Sequence, residues 1–196
     1  MALTVRCSFR PLVLILLASC AAFRGAPLEP LDRARVIEAQ APLPPISYEC
    51  EEANHRDRSN PEWGWPRATT EALFCSAFVS ARSGPADGDL HVKLHFRAHV
   101  QAELATRALF CVTILTLGIV PTHRHFDLEL QASVEGPGRL PREYVYSEPV
   151  DIWIHLLLLP FPLWNHPLSA CPDAFENMLL HFLVDLRRDL DAPGPS

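Results

Sequence analysis

Two stretches of alternating apolar and polar residues organise the middle of this chain. Leu90, Val92, Leu94, Phe96, Ala98 and Val100 alternate with His91, Lys93, His95, Arg97 and His99. Phe126, Leu128, Leu130, Ala132 and Val134 alternate in the same way with Asp127, Glu129, Gln131, Ser133 and Glu135. A period of two over this length predicts strands with one buried and one wet face. Gly136-Pro137-Gly138 then turns the chain and residues 139–147 return, which predicts a hairpin. Pairing Glu135 with Arg139 across the three-residue loop sets Val134 opposite Leu140, Leu130 opposite Tyr144 and Leu128 opposite Tyr146, so apolar meets apolar.

Helical spacing occurs twice. Leu73, Phe74, Ala77 and Phe78 lie on one face of a helix capped by Thr69 or Thr70 and running to about Ala81. Phe175, Met178, Leu179, Phe182, Leu183, Leu186 and Leu190 predict a last helix over about 172–190, with Pro172 in its first turn and Arg187 and Arg188 where the helix dipole favours positive charge. With a short first strand over 46–50, the order is β-α-β-α-β-β-α: an α+β fold with a small, mainly antiparallel sheet.

Two segments are too apolar to read as ordinary connections. Residues 108–120 carry no charge, and 150–164 are nearly as greasy. Neither reaches the roughly 20 residues of a spanning helix. The first enters the hairpin at its open end and the second leaves there, so the two lie side by side. They are either core, or an exposed tip that touches a membrane or a partner protein. Each large apolar side chain gains about 1.5–3 kcal/mol on burial, and a single small sheet cannot cover them all, which favours the tip. In the first segment the contacting residues would be Leu109, Phe110, Ile114, Leu115, Leu117 and Ile119. In the second they would be Trp153, Leu157, Leu158, Phe161 and Trp164, the two indoles suiting the headgroup region.

A membrane enters the argument through the N-terminus. Arg6 and Arg10 precede Leu12-Val13-Leu14-Ile15-Leu16-Leu17, and the run closes on Ala18-Ser19-Cys20. A basic start, a short apolar middle and a small-residue exit describe a secretion signal. Leu17-Ala18-Ser19-Cys20 resembles the lipobox of bacterial lipoproteins, which implies cleavage before Cys20 and acylation of that residue. Several acyl chains hold a protein on a bilayer where one would not. Ala21 takes the place of the Asp that retains many lipoproteins in the inner membrane, so the resemblance implies the outer membrane, facing the periplasm. The division expected is then a signal over 1–19, a lipidated, proline-rich tether over 20–45, one domain over 46–191 and a frayed tail over 192–196. A flexible tether of that length would reach about 25–30 Å.

Losing the signal removes Arg6 and Arg10 from 17 basic residues, leaving 15 against 23 acids, near −8. An acidic domain without a basic cluster is a poor match for nucleic acid. Cys50, Cys75, Cys111 and Cys171 remain beyond Cys20, an even number for an oxidising compartment, so one or two structural disulfides are expected with their pairing open.

Catalytic signatures are missing: the sequence has no GxSxG, HExxH, P-loop or GxGxxG. His91 and His95 sit about 13 Å apart on a strand and cannot share an ion. His123-Arg124-His125 puts two imidazoles on one face if it opens the strand, and a solvated strand start is favoured over a metal pair. Trp63 and Trp65 could stack a sugar but are favoured as loop packing. No cofactor and no metal are therefore expected. Leu115-Thr116-Leu117-Gly118-Ile119-Val120-Pro121 and Tyr146-Ser147-Glu148-Pro149-Val150-Asp151-Ile152-Trp153, together with the lipobox, resemble a group of bacterial envelope lipoproteins with no assigned activity. The resemblance brings no catalytic residues with it; the missing signatures and the apolar end lead to the expectation of a non-enzymatic structural or adaptor role, with the bilayer and an envelope protein as partners. The alternative is a small envelope hydrolase or carbohydrate binder.

Overall fold

A computed structural model describes residues 20–25, 28–38, 40–53, 65–84, 90–100, 104–116, 120–136, 139–154 and 167–192. Its strands are β1 (Cys20–Arg24), β2 (Ile46–Ala53), β3 (Ala81–Ser83), β4 (Leu90–Val100), β5 (Thr122–Gly136) and β6 (Arg139–Ile154). Its helices are α1 (Trp65–Ala77), α2 (Leu104–Leu115) and α3 (Pro167–Asp191), with a single π-helical turn at Ala34–Glu38. The six strands form one sheet in the order β1-β6-β5-β4-β2-β3. This is the α+β fold expected, with two short edge strands added.

The sheet is mixed. β2 runs parallel to both β3 and β4, whereas β4, β5, β6 and β1 pair antiparallel in succession. A parallel pair needs a crossover, and α1 supplies it between β2 and β4. α1 and α3 cover one face of the sheet. Phe96 of β4 meets Phe175 of α3 with ring centroids 4.8 Å apart, and Tyr48 of β2 meets Phe74 of α1 at 5.2 Å. Val92, Leu94, Leu128, Leu130, Phe74, Phe175 and Phe182 are fully buried. The face that the alternation assigned to the core is the face that the helices cover.

Several boundaries moved. α1 starts a turn earlier than the threonines suggest, since Pro66 suits a first turn; Thr70 lies inside the helix and donates to the Pro66 carbonyl at 2.8 Å. It ends at Ala77 because Leu43 captures the chain, donating its N–H to Ala77 and accepting from Val79, each at 2.8 Å. α3 begins at Pro167, which puts Pro172 inside the helix. The hairpin is shifted by two residues: Leu130 faces Tyr146, Ala132 faces Tyr144 and Val134 faces Arg142, with an irregularity before Gly136↔Arg139. A shift of two keeps every side chain on its face, so the hydrophobic pattern is indifferent to it.

The expected tether is docked. Residues 20–24 form the edge strand β1, with Cys20 opposite Ile154 and Arg24 opposite Val150. Val36, Ile37 and Leu43 are buried. Asn177 of α3 accepts the Leu31 N–H at 2.9 Å, His181 bonds the Glu29 carbonyl and Arg187 donates to the Ala41 carbonyl. Prolines stop this segment from forming a long helix, yet its few apolar residues suffice to hold it on α3. The disulfide expectation also fails, because Cys50 (β2), Cys75 (α1), Cys111 (α2) and Cys171 (α3) form no disulfide and sit on separate elements. No described helix is long and apolar enough to cross a membrane.

Candidate functional site

The chemistry-bearing groups gather at one end of the sheet, on the face away from α1 and α3. β5 opens with Thr122, buried, and then places His123 and His125 two residues apart, hence on the same side. The antiparallel register sets Asp151 of β6 opposite His125 and Trp153 opposite His123. One carboxylate oxygen of Asp151 then lies 2.7 Å from Nε2 of His123 and 2.8 Å from Nδ1 of His125. The other ring nitrogen of His125 meets the Asp127 carboxylate at 2.9 Å. The Trp153 indole stacks on the His123 ring at 4.4 Å and 27°.

The electrostatics follow from these contacts. The hydrogen bond to Asp151 holds the His125 imidazole above its ordinary pKa, against some desolvation and with help from Asp127. Burial pulls Asp151 upward, but the bonds from His125 and His123 outweigh it and keep the carboxyl below its ordinary value. Two imidazoles, one carboxylate and an orienting second carboxylate make a polar cluster that favours positive charge.

Of these residues only the histidines were legible as a pair. Asp151 was missed because the returning strand was expected to stop at 147, whereas β6 continues to Ile154 and carries the start of the second apolar segment into the sheet. Continuing the alternation would have found it in either register, since a shift of two leaves Asp151 on the histidine face.

The histidines of β4 do not join this cluster. His95 pairs with Glu51 at 3.1 Å and His99 with Glu129 at 3.9 Å, across strands. His91, expected in water, is buried and bonded to Ser47 Oγ at 2.9 Å, because the flanking β2 supplies both cover and a polar partner.

The apolar end lies beside the cluster. α2 connects the end of β4 to the start of β5, so it belongs to the edge of the sheet where Cys20, Thr122 and Ile154 lie in register. Leu109 and Leu115 on α2 and Trp153 on β6 are exposed, Leu115 at 82%. Val112, which the sequence reading did not single out, is exposed with them. Phe110 and Ile114 lie within α2, with side chains outside the described set. Leu117, Ile119, Leu157, Leu158, Phe161 and Trp164 fall outside the described residues, as does Trp63. Trp65 meets Phe96 and Phe175 edge-on at 5.4 and 5.5 Å, so its indole packs the helical layer onto the sheet.

Comparison with known structures finds a likeness to rare lipoprotein B from Shewanella oneidensis, 8% identical, with a TM-score of 0.33, over 73% of this chain and 96% of that one. A likeness of that size assigns neither activity nor partner. No protein-family model and no curated protein matches the chain.

Proposed function

We propose that this protein is a bacterial lipoprotein of the cell envelope, anchored through acylated Cys20, with a non-enzymatic structural or adaptor role in which the apolar end of its sheet rests on the membrane. The observation that carries the reading is the coincidence of two features at one edge. The lipobox-like cysteine opens β1 opposite Ile154, and the exposed apolar residues of α2 and β6 belong to that same edge. An acyl group at Cys20 would present this edge to the bilayer without a leash between them. Burying Leu109, Val112, Leu115 and Trp153 in the headgroup region would add to the anchor at about 25 cal/mol per Å² of apolar surface covered. The residue after Cys20 supports the periplasmic face of the outer membrane. A sugar-binding role draws little support from Trp65, whose ring is occupied by Phe96 and Phe175.

The test has two arms. Mass spectrometry of protein taken from envelopes should find acyl chains on Cys20 as the first residue; an unmodified or trimmed N-terminus would remove the anchor. Signal-free Cys20→Ser protein should float with liposomes, and Val112→Glu with Leu115→Glu should abolish flotation without unfolding the domain. Flotation that survives both glutamates would remove the membrane-contacting edge.

A further inference from the structure

We propose that His123, His125 and Asp151 are the protein ligands of a divalent transition-metal site, best suited to zinc and open at its fourth position. One ligand atom from each of His123, His125 and Asp151 lies within 4.8 Å of the other two. Tetrahedral zinc bound at about 2.0–2.2 Å by nitrogen and oxygen needs its ligand atoms a little over 3 Å apart. The two nitrogens stand 2.7 and 2.8 Å from the Asp151 oxygen and no more than 4.8 Å from each other, so each ring would back off the carboxylate by about half an ångström and swing toward the other imidazole to close the tetrahedron.

Three further features point the same way. A neutral imidazole presents a lone pair on one nitrogen, and a lone pair that close to a carboxylate is repulsive. Each ring must therefore place a proton or share a cation there. One divalent ion meets both demands at once.

Asp127 provides the orientation that metal-binding histidines use. In the metal-bound form Nε2–H of His125 would donate to the Asp127 carboxylate, 2.9 Å away, and leave the lone pair of Nδ1 for the ion beside Asp151. A carboxylate behind a ligating imidazole fixes its tautomer and raises its basicity. The Trp153 indole lies flat on His123 and restrains the first ring in the same way.

The third feature is rigidity with access. All three ligands stand on paired strands whose register holds His125 opposite Asp151, and all three side chains are partly exposed, at 40%, 29% and 30%. An ion can enter, and its remaining position faces solvent, as in zinc sites that bind water or an exogenous ligand. Two imidazoles and one carboxylate suit zinc and its first-row neighbours over magnesium or calcium, which take oxygen. The inference uses residues on the strands alone and stands whether or not Cys20 is acylated.

Full-length mature protein in detergent, stripped with a chelator, is titrated with zinc by calorimetry and with cobalt(II) by absorption near neutral pH. The expected result is one equivalent bound, with cobalt d–d bands and no thiolate-to-cobalt charge transfer, which separates this site from the four cysteines. Zinc should shift the ring resonances of His123 and His125 and leave those of His95 and His99 in place. His125→Asn and Asp151→Asn, which preserve volume, should lose at least 100-fold in affinity, and Asp127→Asn about 10–100-fold. Circular dichroism confirms that each variant is folded, and the ring resonances of the unaltered protein decide the matter should one of them not be. Absence of stoichiometric binding, a thiolate signature, or affinity unchanged in His125→Asn would overturn the site.

Discussion

Asp189 on α3 ties down two residues of β6. It pairs with the Arg142 guanidinium and accepts the Tyr144 hydroxyl at 2.5 Å, while one turn earlier Asp185 accepts Tyr146 at 2.7 Å. Bonds from Arg142 and Tyr144 hold the Asp189 carboxyl below its ordinary 3.8, and burial together with Asp189 pushes Tyr144 up to about 12. A carboxyl with a depressed folded pKa adds stability above its unfolded pKa and loses it as pH falls through the folded one. Asp189→Asn should therefore destabilise the domain at neutral pH, and the gap from the parent should shrink as pH drops below about 4. Urea midpoints measured across that range check this; a gap independent of pH would mean that the charge of Asp189 is not what the tyrosine and arginine use. None of these pairs could be read beforehand. The tyrosines were placed on the core face, but nothing in a period of two says which residues of a distant helix will meet their hydroxyls.

Between elements, the alternation in β4 and β5 and the heptad-like spacing in α3 were legible because each element buries one face. Leu128, Leu130, Ala132 and Val134 are buried as the pattern requires, as are Phe175, Met178, Leu179, Phe182, Leu183 and Leu186. Register was not legible. The three-residue loop aligned Glu135 with Arg139, but Glu135 instead lies 3.6 Å from Lys93 on β4, and Arg142 reaches α3. An exposed ion pair across the hairpin is worth at most about 1 kcal/mol, too little to set the register against the helix contacts of Arg142 and Tyr144. A crosslinking pair separates the two alignments. Gln131→Cys with Val145→Cys, directly opposite in the structure, should oxidise readily to a disulfide, whereas Gln131→Cys with Glu143→Cys should not. The reverse outcome would restore the sequence-based register.

For the molecule as a whole, the largest departure from expectation is the N-terminal segment, which adds β1 to one edge of the sheet and bonds to α3 through Glu29, Leu31 and Ala41 instead of forming a free tether. Trypsin should then cut after Arg33 and Arg35 no faster than after arginines within the body, such as Arg97; rapid cleavage there with the domain intact would show a free leash. Patterning alone determined the α+β class, the core faces of β4, β5 and α3 and the acidic character, because these depend on residues near one another in the chain. Docking of residues 20–25, 28–38 and 40–43, the two-residue shift of the hairpin, the separate thiols and the meeting of His123, His125 and Asp151 were decided by tertiary structure. Each depends on which strand lies beside which and at what offset, and hydrophobic periodicity is unchanged when two strands slide by a full pleat.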